Sequence, residues 1–166
     1  TLFGVVPSVD FELMRENQGL SGLTSLVIFR MGEFFDSKDI DLLIVQGDTT
    51  TAFASCLAAF YAGIPIAHVE AGLRTYDKSS PFPEEFNRRA ISAMADLNFT
   101  PTALASRRLK AEGFSNVFEV GNTVVDSLEL IKKSLATRAR ETIAELVPAF
   151  DSSRKLVLVT AHRRES

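Results

Sequence analysis

Three acidic stretches follow one another closely in this chain: Gly47-Asp48-Thr49-Thr50-Thr51, then His68-Val69-Glu70-Ala71-Gly72-Leu73-Arg74-Thr75, then Pro81-Phe82-Pro83-Glu84-Glu85-Phe86-Asn87-Arg88-Arg89. Carboxylates can take up and give back protons, and arginines interleaved with them can grip an anion. The set therefore points to proton-transfer chemistry on an anionic substrate. A further candidate is His162, followed by Arg163-Arg164-Glu165. A histidine there can titrate near neutral pH or donate to a phosphate.

Each candidate also has an ordinary structural explanation. Asp48 follows a glycine and precedes threonines, so either Asp48 or Thr49 can cap a helix, and an Asp48 cap does not exclude a ligand role. Glu70 can be a solvated charge at a strand end, with Arg74 as its ion-pair partner. Glu84 and Glu85 fall in the first turn of a helix, where the helix dipole favours negative charge, and Glu84 stands four residues before Arg88, the spacing of a common surface pair. His162 can be simply solvated. His68 lies inside its strand and reads as a structural histidine.

The elements that must position these residues alternate between strand and helix. Asp41 to Gln46 is a short apolar run of the kind found in a parallel strand covered on both faces. Gly47 turns the chain into a helix through about Ala62, ended by Gly63. Ile64 to Val69 is the next strand. Helical spacing resumes at Pro83 and carries Phe86, Ala90, Ile91 and Met94 on one side. Leu97 to Thr100 is a strand, Pro101-Thr102 opens a helix ending at Gly113, and Val117 to Val120 is another strand. Gly121-Asn122-Thr123 begins a long helical region that is broken or ended near Pro148, and Lys155 to Thr160 is a strong final strand. Before all this, Phe11 to Arg15 with Gln18-Gly19-Leu20-Ser21 reads as loop and Leu23 to Phe35 as a helix. This alternation predicts an α/β fold with a doubly wound parallel sheet. In such sheets ligands bind beyond the carboxyl ends of the strands, where Asp48 and Glu70 both fall.

Bulk properties narrow the classes further. The 166 residues are 46% apolar and carry 18 basic against 21 acidic groups, a net charge of −3. That supports a real core and argues against nucleic acid or an anionic membrane as the main partner. Cys56 is the one cysteine and reads as a buried thiol in a reducing, cytoplasmic setting. No apolar stretch reaches the ~18 residues of a membrane span. Nothing in the residues demands a metal or a cofactor, and neither GxxxxGK(S/T) nor GxGxxG is present. Both ends look cut, which marks the chain as a fragment of a longer protein.

Taken together, Gln46 to Thr51 (QGDTTT), His68 to Thr75 (HVEAGLRT), Ser80 to Arg88 (SPFPEEFNR), Gly121 to Asp126 (GNTVVD) and Ala161 to Ser166 (AHRRES) closely resemble the non-hydrolysing UDP-N-acetylglucosamine 2-epimerases, in the family's order. The resemblance implies a GT-B-like two-domain fold with a UDP-sugar in the interdomain cleft. On it, residues 1–150 are the N-terminal Rossmann-like domain with its connecting helix, lacking the opening βαβ unit, and residues 151–166 hold the first strand of a truncated C-terminal domain. It also implies a homodimer for the full-length protein.

The implied reaction interconverts UDP-N-acetylglucosamine and UDP-N-acetylmannosamine. The C2 hydrogen has no adjacent carbonyl to acidify it, so the family's route eliminates UDP to a 2-acetamidoglucal and adds it back, with the proton delivered to the opposite face. Carried over by position, Asp48, Glu70 and Glu84 are the acid/base carboxylates. His162 contacts the substrate near the diphosphate, and Arg163 resembles a residue linked to an allosteric UDP-N-acetylglucosamine site. Gln46 stands where histidine is common and Ala161 where glycine or threonine is frequent; neither removes a proposed catalytic group. The fragment alone is expected to be inactive. The competing classes are a GT-B glycosyltransferase, a hydrolysing epimerase, and a sugar-nucleotide-binding protein without catalysis.

Overall fold

The computed structural model describes residues 3–135 together with Val157 and Val159. Four parallel strands form one sheet in the order β1-β2-β3-β4, with β1 at Leu43–Gln46, β2 at Ile66–Val69, β3 at Leu97–Thr100 and β4 at Val117–Glu119. The helices are α1 (Leu20–Ser37), α2 (Thr50–Tyr61), α3 (Glu84–Met94), α4 (Ala103–Ala111) and α5 (Thr123–Leu135). The α/β class and the parallel sheet follow the alternation in the sequence. α1 runs beyond the expected helix at both ends, and β1 and β2 each start two residues later than their apolar runs.

Strand order here equals chain order, so every crossover steps the same way, and right-handed crossovers then stack α2, α3 and α4 on one face. Burial agrees. Val45, His68, Asn98 and Val117 are aligned across the strands and all buried, whereas on the opposite face Ile44 is 63% and Phe118 47% exposed.

α2 is the middle of the helical layer and packs against α1, α3, β1 and β2. Its buried residues are small: Ala52, Ala54, Ser55, Cys56, Ala58 and Ala59. Small side chains let the neighbouring backbones approach closely, so Phe35, Val45, Ile66 and Ile91 close on one core. Burial pushes the Cys56 thiol pKa up to about 12, which makes it an inert core residue.

Hydroxyl caps start two of the helices. Thr49 Oγ1 accepts the Ala52 N–H at 3.1 Å to open α2, and Thr102 Oγ1 accepts the Ala105 N–H at 3.2 Å to open α4. Each cap of this kind is worth about 1 kcal/mol. The X-Pro bonds Ser80-Pro81 and Phe82-Pro83 are cis.

Contacts divide the chain into two units, Thr1–Asp126 and Ser127–Ser166. Of the second, the described residues are the C-terminal part of α5 with Val157 and Val159. The expected domain boundary at residues 150 and 151, the expected strand at Lys155 to Thr160, and the candidates His162 and Arg163 lie outside the described residues. No helix among the described residues is long and apolar enough to cross a membrane.

Candidate active site

Asp48, Glu70 and Glu84 are brought to the carboxyl edge of the sheet by three separate elements. Asp48 sits in the turn between β1 and α2, Glu70 directly after β2, and Glu84 in the first turn of α3.

The turn before α2 settles the first ambiguity. The cap is Thr49, so the Asp48 carboxylate is available for another partner. That partner is Arg88, whose Nε donates to Asp48 Oδ2 at 2.9 Å and whose Nη2 donates to the same oxygen. The backbone of Asp48 is held as well, because the buried Asn87 amide donates to its carbonyl at 2.9 Å. Two neighbouring residues of α3 therefore fix both the main chain and the side chain of Asp48. Gly47, at φ +73°, makes the turn and leaves room beside it: the nearest atom to the position a Cβ would occupy is Glu70 Oε2, at 3.7 Å. The Glu70 carboxylate thus lies against the Gly47-Asp48 turn.

Glu70 itself adopts φ +68°, a left-handed conformation uncommon for a residue with a side chain. Backbone in that region persists where its surroundings hold it, and the loop that follows is held at several points. The Ala71 N–H donates to the Phe99 carbonyl at 3.0 Å. Gly72 lies so close to α4 that a Cβ there would sit 2.6 Å from the Ala105 carbonyl oxygen. Arg74, its side chain 0% exposed, clasps both Glu112 oxygens with Nε and Nη2, each at 2.9 Å at its shortest, and donates to the Leu73 carbonyl. The Thr75 and Tyr76 N–H groups both donate to Glu85.

Two pairings expected from spacing are replaced by others. Arg74 is the partner of Glu112 on α4 rather than of Glu70. Arg88 turns to Asp48 and to Glu85, three residues before it, rather than to Glu84. The helical twist puts both (i, i+3) and (i, i+4) neighbours within reach, and the buried Glu85 has more to gain from a cation than a partly hydrated Glu84. As a result the Glu70 and Glu84 side chains, both half-buried, make no hydrogen bond or ion pair among the described residues.

His68 lies on β2 just below these groups and is 0% exposed. Its Nε2 stands 2.8 Å from the Gly47 carbonyl oxygen, which can only accept, so Nε2 carries the proton. Burial holds the His68 pKa below its ordinary value; the Gly47 hydrogen bond opposes this in part, and Arg74 adds to it. The ring is therefore neutral, with Nδ1 as an acceptor that has no partner among the described residues. The structural reading of His68 is thus right in its placement and half satisfied in its bonding.

Spacing did not single out Asn87, and it offered Glu85 and Arg88 only as a first-turn acid and as the partner of Glu84. Their signal was only that polar residues recur on a helix side that faces the sheet edge. Among the described residues no group of three His, Cys, Asp or Glu side chains is placed to hold a metal ion.

The sequence as a whole matches a family model described as UDP-N-acetylglucosamine 2-epimerase, over residues 1–166. The chain belongs to that family. It is 43% identical to the UDP-N-acetylglucosamine 2-epimerase of Bacillus subtilis, over 99% of this chain and 42% of the relative. The fold superposes on the crystal structure of UDP-GlcNAc 2-epimerase from Neisseria meningitidis bound to UDP-GlcNAc with a TM-score of 0.92 at 38% identity, covering 99% of this chain and 45% of that one. The Methanocaldococcus jannaschii UDP-GlcNAc 2-epimerase in complex with UDP-GlcNAc and UDP is similar at a TM-score of 0.78 and 30% identity, over 86% of this chain and 39% of that one. The chain thus spans less than half the length of the relatives it matches.

Proposed function

We propose that the full-length protein carrying this chain interconverts UDP-N-acetylglucosamine and UDP-N-acetylmannosamine, without hydrolysis, by eliminating UDP and adding it back with inversion at C2. The observation that carries the reading is the gathering of Asp48, Glu70 and Glu84 at one sheet edge, in a chain whose relatives bear that activity in their names. Inversion at one carbon needs proton transfer on two faces, and carboxylates on separate elements can approach a substrate from different sides. A positioned acid or base of this kind contributes ~10²–10⁴ in rate.

Asp48, Glu70 and Glu84 are assigned the acid/base roles. Arg74 and Arg88 are already committed to Glu112 and to the pair Asp48 and Glu85, so the departing diphosphate needs other cations. His162 is assigned to it, with Arg163 as a UDP-sugar contact. The same reading takes the full-length protein as a cytoplasmic homodimer acting on a UDP-sugar rather than on nucleic acid or membrane, and takes the 166 residues alone as inactive. It also takes residues 1–150 as the Rossmann-like domain and 151–166 as the start of the next.

The test is proton NMR of the full-length protein with UDP-N-acetylglucosamine in D₂O. Loss of the C2 proton signal as UDP-N-acetylmannosamine appears is the expected result. Free N-acetylmannosamine would mean the hydrolysing reaction, and an acceptor-dependent product would mean a GT-B glycosyltransferase. Binding with the C2 signal intact would mean a sugar-nucleotide-binding protein without catalysis. Replacing Asp48, Glu70 and Glu84 singly by their amides is expected to cost ~10²-fold or more in kcat each.

A further inference from the structure

Glu85 is 0% exposed, although it sits in the first turn of a helix whose neighbouring residues Glu84 and Phe86 reach solvent. A buried carboxylate is tolerated only when donors surround it, and the donors around Glu85 come from specific places. Oε2 accepts the Thr75 N–H at 3.0 Å and Arg88 Nη1 at 3.2 Å, and Oε1 accepts the Tyr76 N–H at 3.1 Å. Thr75 and Tyr76 lie within the loop that runs from Glu70 to the start of α3. Arg88 places its other two nitrogens on Asp48. Glu85 itself is the residue after Glu84. One side chain therefore joins the loop of Glu70, the helix turn of Glu84 and, through a shared guanidinium, the carboxylate of Asp48.

We propose that Glu85 is a positioning residue of the active site, setting the spacing of Asp48, Glu70 and Glu84. This rests on the functional reading above. A carboxylate needed only to stabilise the fold has no reason to draw all its partners from the elements that carry the reacting groups. Both acceptor oxygens are essential to the arrangement. An amide in its place offers one acceptor oxygen, turns an NH₂ toward a backbone N–H or toward Arg88, and leaves the guanidinium paired with Asp48 alone. An aspartate keeps the charge but withdraws it by about 1.5 Å, so that it holds one side of the array and not both.

The test compares wild type, Glu85→Gln and Glu85→Asp in the full-length protein by the rate of UDP-N-acetylglucosamine epimerisation in D₂O. Glu85→Gln is expected to lower kcat about 10²-fold in the folded fraction, because displacement of reacting groups by about 1 Å is enough to do so. KM is expected to change by less than about threefold, because ground-state binding is not what Glu85 supplies. Glu85→Asp is expected to recover part of the lost kcat. A wild-type protein that turns over while Glu85→Gln keeps its kcat overturns this proposal alone. A wild-type protein without 2-epimerase turnover overturns the functional reading and, with it, the role given to Glu85.

Should Glu85→Gln fail to fold, amide hydrogen exchange on the wild-type protein decides. Slow exchange at Thr75 and Tyr76, against fast exchange at the exposed Lys78, supports the hold. Fast exchange at all three overturns it.

Discussion

Arg88 reaches Asp48 across 40 residues of sequence and places two of its nitrogens, Nε and Nη2, on the single oxygen Oδ2. Its third nitrogen goes to Glu85. A planar fork holds its donors at fixed positions against two carboxylates, and an ammonium on a flexible stem reproduces neither their spacing nor their plane. Arg88→Lys is therefore expected to fold and to lose about 10²-fold in kcat/KM, read by the same NMR assay. Arg88→Met removes the charge altogether and leaves Glu85 buried without its cation. It is expected to lower stability by about 3 kcal/mol in urea denaturation. Wild-type kinetics in Arg88→Lys would remove the guanidinium from the site's architecture.

The Arg74–Glu112 pair is unequal, and that inequality makes a ranking. Arg74 is fully buried, whereas the Glu112 side chain is 26% exposed. Removing Glu112 strands a buried cation. Removing Arg74 strands a carboxylate that water can still reach. Glu112→Ala is therefore expected to destabilise by about 3–5 kcal/mol, more than Arg74→Met. The urea midpoint should fall with an unchanged slope in both variants. The opposite ranking would show that the pair's environment is wetter than its geometry implies.

Much of this was legible in the sequence, and what was not has definite causes. β3 was predicted to the residue, because Leu97 to Thr100 is bounded by Asp96 on one side and Pro101 on the other. The caps at Thr49 and Thr102 follow from local chemistry that a short window contains. The partners of the charges were less legible. Glu84 and Glu85 are equivalent on paper, and only the approach of Thr75 and Tyr76 makes Glu85 the buried one. Likewise, spacing offered Glu70 to Arg74, while the fold supplied Glu112 from 38 residues further on. Long-range electrostatics depends on which side of a helix meets a loop, and a periodicity in one segment does not carry that information.

Two glycines near the site separate conformational strain from steric collision. Gly47 and Gly72 both have left-handed backbone, at φ +73° and +85°. A Cβ on Gly47 would meet nothing closer than 3.7 Å, so Gly47→Ala is expected to incur only the backbone term, about 1–2 kcal/mol. A Cβ on Gly72 would lie 2.6 Å from the Ala105 carbonyl oxygen and 2.9 Å from its carbon, both backbone atoms that cannot swing away. Gly72→Ala must add displacement of the loop or of α4 to the same backbone term. Its melting temperature is expected to fall further than that of Gly47→Ala, and its kcat to fall too, because the displaced loop carries Glu70 two residues earlier. Equal melting temperatures for the two variants would contradict the close approach of the loop to α4.

His68 gives the fold a pH dependence whose sign can be worked out. Burial lowers its folded pKa below the 6.5 of a free histidine. Between those two values the unfolded chain binds the proton and the folded chain does not, so stability rises with pH across that window. The contribution is fully present above 6.5 and is lost as the pH falls toward the folded value, with a limiting slope of about 1.4 kcal/mol per pH unit for one proton. The charges acting on the ring are Arg74 and Arg88, which oppose its protonation, and Asp48, which favours it. Protonation would also put a hydrogen on Nδ1, where no acceptor waits among the described residues. In His68→Gln the side chain no longer titrates, so stability measured by urea titration at a series of pH values should lose this component of its slope just below 6.5. Subtracting the variant from the wild type isolates His68 from every group they share. A difference curve that stays flat across that range, or that rises as the pH falls, would mean that His68 is not held neutral beneath the Gly47-Asp48 turn.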